Sequence, residues 1–210
     1  MRNFFIPILF SVALRLEAAP PQRVEIVYDL ARNGTSVAEV TERLEHDRRR
    51  YRLEELWKGK GVFALRGDGR RASRGAIAKD GLRPAEFEDR RPGREAKRVE
   101  FDAQAPGPAL EHQDRLSFVW NFVFFPPNGE VTVRVADANG GVATQVFRAA
   151  GKERVRVPAG EFDALKVVRK GDRLTELWLA TDRSNLPVKI VLTEKDGTRY
   201  EQSAVRIAAQ

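Results

Sequence analysis

The stretch VEIVYDLARNGTSVAEVTERL, residues 24–44, decides the fold. Val24, Ile26, Tyr28 and Leu30 alternate with Glu25 and Asp29, the period-two pattern of a strand with one face in a core and the other in water. Asn33-Gly34 follows, the dipeptide best suited to a two-residue hairpin turn that needs positive φ. The return strand then sends Ala38, Val40 and Leu44 inward.

The same habit extends in both directions. Strands are expected over residues 51–57, 61–65, 74–78, 82–89 and 98–102, punctuated by Gly67, Gly69, Asp80-Gly81 and Pro92-Gly93. Val131, Val133 and Val135 form another, followed by a turn at Asn139-Gly140-Gly141 and a strand over 144–148. The last third adds strands over 154–157, 162–169, 174–179, 188–194 and 198–207, with Leu186-Pro187 entering an edge strand because proline lacks the ladder donor. Such spacing predicts a mainly β chain: an antiparallel meander curling into a strongly curved sheet or half-barrel.

One segment breaks the pattern. Over residues 114–125, Leu116, Val119, Trp120 and Val123 recur at helical spacing, with Asp114 as N-cap and Pro126-Pro127 as the stop. Phe118, Phe122, Phe124 and Phe125 make this helix apolar on nearly every side, so it must be buried on the concave side of the sheet. Two readings stay open. It is a core plug, or it walls a hydrophobic ligand cavity lined by Phe118, Trp120, Phe122, Phe124, Phe125 and Trp178.

Residues 1–19 read as a signal peptide: Arg2, an apolar run over 4–14, then Ala18-Ala19 before Pro20-Pro21. That run is short for a bilayer span, and no other apolar run is long enough. The expected mature chain, residues 20–210, is one β-rich domain of the periplasm. The chain has no cysteine, which excludes disulfides, thiol catalysis and thiolate metal sites. Its formal charge is +7, and loss of Arg2, Arg15 and Glu17 with the leader leaves +6.

No catalytic constellation is visible. The two histidines, His46 and His112, lie near no Gly-x-Ser-x-Gly elbow and in no metal-ligand spacing. Glu86, Glu88 and Asp89 interleave with arginines and are expected to face water. No metal or other cofactor is expected, and no nucleic-acid motif occurs. Arginines cluster in the first half; if their loops converge, Arg49, Arg50, Arg70, Arg71 and Arg91 make an anion-binding rim.

Four segments in the second half resemble a known family. They are Gln113-Asp114-Arg115-Leu116-Ser117; Pro158-Ala159-Gly160-Glu161-Phe162-Asp163 with Leu165-Lys166-Val167; Glu176-Leu177-Trp178-Leu179-Ala180; and Leu186-Pro187-Val188-Lys189-Ile190 with Lys195-Asp196-Gly197. With Tyr28-Asp29-Leu30 and Asn33-Gly34, they make the chain similar to the bacterial domain of unknown function 3108 family. The resemblance implies an exported, β-rich protein and transfers no catalytic residue. It also suggests the half-barrel shape of envelope lipoprotein carriers, an analogy of fold that does not fix function.

These readings lead to an expectation: a periplasmic, non-enzymatic binder of a hydrophobic or amphipathic, lipid-like envelope ligand. Two alternatives stand beside it, a solid-cored module that docks an envelope protein and a carboxylate-based glycan hydrolase.

Overall fold

A computed structural model describes residues 20–102 and 104–210; the expected leader, residues 1–19, lies outside the described residues. Strands β1 (Arg23–Arg32), β2 (Thr35–His46), β3 (Arg50–Gly59), β4 (Gly69–Ala78), β5 (Gly81–Arg90) and β6 (Lys97–Glu100) form a first meander. A loop leads to the short β7 (Gln113–Asp114) and helix α1 (Ser117–Phe124). Strands β8 (Glu130–Ala136), β9 (Val142–Val157), β10 (Gly160–Arg169), β11 (Leu174–Ala180), β12 (Leu186–Thr193) and β13 (Arg199–Ala209) form a second.

Both meanders belong to one thirteen-stranded sheet, ordered β6-β5-β4-β3-β2-β1-β13-β12-β11-β10-β9-β8-β7. Every pairing is antiparallel except the brief β7–β8 contact. The two halves join where β1 pairs with β13. There Arg23 N donates to Gln210 O at 3.1 Å and Gln210 N donates to Arg23 O at 2.9 Å. The outer strands, β6 and β7, do not pair with each other, so the sheet curls without closing into a barrel. A side-chain bond spans part of that gap, from Lys97 Nζ on β6 to Asn139 Oδ1 in the β8–β9 turn.

The deciding hairpin folds as its sequence dictates. Asn33 and Gly34 take φ of 48° and 82°, and Tyr28 pairs with Val40 across β1–β2. One inward row then runs Val24, Leu44, Leu53, Ser73 and Phe87 across five strands. Leu44, Leu53 and Phe87 are each at most 1% exposed, and burying such side chains stabilises by about 1.5 to 3 kcal/mol apiece.

Several details depart from the sequence pattern. Residues 61–65 are a 3-10 turn, Gly61–Arg66, rather than a strand. Val62 and Leu65 are 76% and 91% exposed, so no apolar face there had a core to meet, and Gly61 at φ 54° turns the chain out of β geometry. The strands expected over 144–148 and 154–157 are one long strand, β9. The ladder continues past Gly151 through a register shift opposite Lys166 and Val167. Strand β12 is interior rather than an edge. Pro187 is tolerated because the β12–β13 ladder begins only at Lys189, and the Pro187 carbonyl accepts from the Tyr28 hydroxyl at 2.6 Å.

Helix α1 is shorter than expected. Asp114 belongs to β7, yet it still ties down the helix entry: its Oδ1 accepts from the backbone N–H of Leu116 and of Ser117, each at 2.8 Å. The helix is apolar all round because it is driven between two clusters. Leu116, Trp120 and Val123 pack with Val24, Ile26, Tyr28 and Leu53. Phe122 packs with Val133, Phe147 and Leu177 in the second cluster. Asn121 Oδ1 accepts from Leu82 N at 2.8 Å, pinning α1 to β5.

Candidate functional site

The strand pattern places charge where the core should be apolar. In β2 the inward positions are Ala38, Val40, Glu42 and Leu44, and in β3 they are Tyr51, Leu53, Glu55 and Trp57. Strand register then lines up Ile26, Glu42, Glu55, Arg71, Asp89 and Lys97 across six strands. Glu42, Glu55, Arg71 and Asp89 are all buried. The result is a transverse seam of four charged side chains inside the curl of the sheet.

Ion pairs organise most of it. Arg71 Nη1 meets Glu55 Oε1 at 2.9 Å, and its Nε lies 3.5 Å from Asp89 Oδ1. Arg91 Nη2 caps the other oxygen of Asp89 at 2.9 Å. The Arg71 guanidinium lies over the Trp57 ring, 4.2 Å from its centroid. Glu55, Arg71, Asp89 and Arg91 thus balance one another, and Glu42 is the carboxyl of the seam with no cation in contact among the described residues. Its Oε2 accepts from Trp120 Nε1 of helix α1 at 2.9 Å. Burial, together with the neighbouring Glu55 charge, pushes the Glu42 pKa up to about 8, so the neutral acid is its ordinary form. Burial raises Glu55 as well, against the pull of Arg71.

A second polar knot lies beside the seam. Ser73 Oγ donates to Asp114 Oδ2 at 2.5 Å and lies 3.1 Å from the Tyr51 hydroxyl. Burial raises the Asp114 pKa although four hydrogen bonds oppose it. This knot fastens the start of α1 to β3 and β4.

Two concavities stand out among the described residues. The first, of about 190 Å³, sits at the gap between the sheet's edges, where Arg91, Arg94, Lys97 and Arg115 surround Asp89, Glu95 and Asp137. The second, of about 670 Å³, runs along β13 beside the start of β10 and the Asp182–Ser184 turn. Phe162, Leu186, Val205, Ile207 and Ala209 give it an apolar floor, with Arg183 and Arg206 at its margin.

None of the residues expected to wall a cavity lines either concavity. Trp120 and Phe122 are 1% exposed, and Phe118 is stacked on Phe147 at 5.5 Å between centroids. Phe124 packs edge-on to His46 at 5.1 Å. Phe125 is partly exposed at the helix end. Trp178 is buried beneath Lys166 and Lys189, its indole Nε1 donating to Glu153 at 2.5 Å. These aromatics fill space rather than enclose it.

The five arginines do not converge. Arg49 and Arg50 sit at the β2–β3 turn, while Arg70 and Arg91 lie toward the other ends of β4 and β5. Arg71 points inward into the seam. Asp89 is likewise inside, not in water, whereas Glu86 and Glu88 pair with exposed arginines. His46 lies against the carbonyls of Pro20 and Pro21, and His112 against that of Pro106. Among the described residues, no three His, Asp or Glu side chains gather to hold a metal ion. No described helix is long and apolar enough to cross a membrane.

The family model described as "Protein of unknown function (DUF3108)" matches residues 25–203. No curated protein matches the sequence. Among solved structures, a β-barrel-like protein of domain of unknown function DUF1849 from Brucella abortus is similar, with 8% identity, a TM-score of 0.45, and 91% of this chain and 99% of that one covered. A candidate exported protein with a YmcC-like fold from Bacteroides fragilis shares 12% identity, a TM-score of 0.43, and coverage of 90% and 98%. A candidate lipoprotein from Parabacteroides distasonis shares 10%, with a TM-score of 0.38 and coverage of 91% and 98%.

Proposed function

The chain belongs to the DUF3108 family of proteins of unknown function, and we propose that it is an exported, non-enzymatic binder of an amphipathic, anionic envelope molecule. The observation that carries this reading is the long groove along β13. Phe162, Leu186, Val205, Ile207 and Ala209 offer an apolar floor, and Arg183 stands at the margin with no ion pair among the described residues. An acyl chain suits the floor, and an anionic head suits the arginine. The signal-like residues 1–19 support export. The aromatic helix serves as the plug that keeps the core solid, and the ligand site lies outside it.

Native mass spectrometry of the protein purified from its own cells, followed by lipid analysis of an organic extract, tests this reading. A stoichiometric lipid that is lost in Phe162→Glu or Ile207→Glu supports it. A bare protein, unchanged when envelope lipids are offered, overturns it. That outcome would favour a second reading, a protein-interaction module. One observation speaks for it: past Arg148, β9 pairs among the described strands with β10 alone, leaving an edge that a partner strand can join.

A further inference from the structure

The smaller concavity is assembled from both ends of the open sheet. Arg91 and Arg94 come from the turn between β5 and β6 and Lys97 from the start of β6, while Arg115 follows β7 and the Asp137–Asn139 turn follows β8. The acids in its wall are mostly committed elsewhere. Asp89 is held by Arg71 and Arg91. Asp137 Oδ1 accepts from the backbone N–H of Asn139 and Gly141, at 2.7 and 3.0 Å. That leaves Glu95 against Arg94 and Arg115, whose guanidinium groups make no ion pair or hydrogen bond among the described residues; the Arg94 backbone N–H donates to Arg91 O at 3.1 Å. Arg115 also stands near Arg71 and Arg91 with no carboxylate in contact among the described residues, and partial burial with that repulsion lowers its pKa against the more distant pull of Glu55. A guanidinium so placed lacks the acceptor its geometry suits.

We propose that this pocket binds a tetrahedral oxyanion of the phosphate class, with Arg115 and Arg94 as its direct contacts and Lys97 closing the site from β6. The volume of about 190 Å³ admits a phosphate group with part of what it esterifies, and no acyl chain. Its position gives the anion a structural effect: contacts from β6 on one side and from Arg115 on the other tie together the edges that backbone hydrogen bonds leave open. The site is independent of the β13 groove and stands whether or not that groove takes a lipid.

The test is thermal unfolding and calorimetric titration of the full mature chain with inorganic phosphate, with chloride at equal ionic strength as the control. Saturable stabilisation by phosphate, as mass action requires of a ligand that binds only the folded state, is the expected result. Arg115→Gln should keep its chloride melting temperature and bind phosphate at least about tenfold more weakly, the scale of one lost charge-assisted hydrogen bond. Arg94→Gln provides the same reading should Arg115→Gln fold poorly. Glycerol 3-phosphate and phosphatidylglycerol vesicles distinguish the source. Binding of glycerol 3-phosphate alone assigns a soluble ester, whereas vesicle co-sedimentation lost in Arg115→Gln assigns a headgroup. Stabilisation that rises linearly with salt, or that both variants retain in full, overturns the proposal.

Discussion

Glu42 and Glu55 stand directly opposite one another on neighbouring strands, both turned into the core, and only Glu55 has an arginine against it. Burial disfavours the charged form, and two carboxylates so close cannot both ionise cheaply, so Glu42 holds its proton. The seam therefore couples protonation to folding.

Glu42 sets a pH dependence with a definite sign. Its folded pKa is near 8, whereas the unfolded value lies near 4.3. Between these limits the folded state binds the extra proton, so stability falls as pH rises from about 4.5 to 8. One proton corresponds to about 1.4 kcal/mol per pH unit, or roughly 3 to 5 °C in Tm for a chain of this size. Glu42→Gln keeps an acceptor for Trp120 and should flatten the profile while raising Tm at pH 8. Calorimetric melts of both proteins from pH 5 to 8 check this; equal slopes would sink the assignment.

Arg71 is the arginine on which the seam depends. Arg71→Met leaves Glu55 and Asp89 buried without their shared cation, a loss of about 3 to 5 kcal/mol. The double variant Arg71→Met with Glu55→Gln should recover part of that, because one orphaned charge is gone. Urea unfolding of the three proteins measures the coupling, and strict additivity would show that Arg71 and Glu55 do not act on each other.

Trp120 has two separable roles. Trp120→Phe removes the indole donor from Glu42 and should cost about 1 to 3 kcal/mol. Trp120→Ala also opens a cavity at the junction of helix and sheet, bringing the cost to about 3 to 5 kcal/mol. In the Phe variant the Glu42 carboxyl loses a bond to its ionised form, so its titration, followed by NMR, should move upward.

The hairpin turn is a conformational constraint rather than a packing one. A Cβ on Gly34 would touch nothing within 4 Å, yet its φ is 82°. Gly34→Ala should therefore destabilise by about 1 to 2 kcal/mol through backbone strain alone. Asn33→Gly also reaches this region freely, but it loses the Asn33 Oδ1 that accepts from Arg199 N at 2.8 Å and should cost about 0.5 to 1.5 kcal/mol. Paired denaturation curves suffice to check both.

How far the sequence could be read depends on the element. Alternation from Val24 to Leu44 exposes the strand phase, and that phase already puts Glu42 inward beside Val40 and Leu44. Tyr51-x-Leu53-x-Glu55-x-Trp57 does the same for Glu55. Reading only the apolar members of each series hides the seam; a charge at an inward position was its one available signal. Arg70 and Arg71 look alike in sequence, and only the register of β4 sends one outward and the other into the core. The helix over 114–125 announces that it is buried, but not by what, because its clusters come from strands far away in the chain. The groove and the pocket were illegible for the same reason. The groove unites separated segments of the second meander, and the pocket unites turns of the two meanders that are brought together once β1 has paired with β13.

That pairing has a topological consequence. Cut the chain in the loop between β6 and β7, join Gln210 to Arg23 through a short linker, and the strands run in sequence order from one edge of the sheet to the other. Apart from the parallel β7–β8 pair, the fold is thus a circularly permuted meander. In the native connectivity its middle strand, β1, waits for the last one, β13, to complete its ladder. Every strand of the permuted chain would instead find its neighbour next in line, so it should reach the same sheet by shorter-range steps.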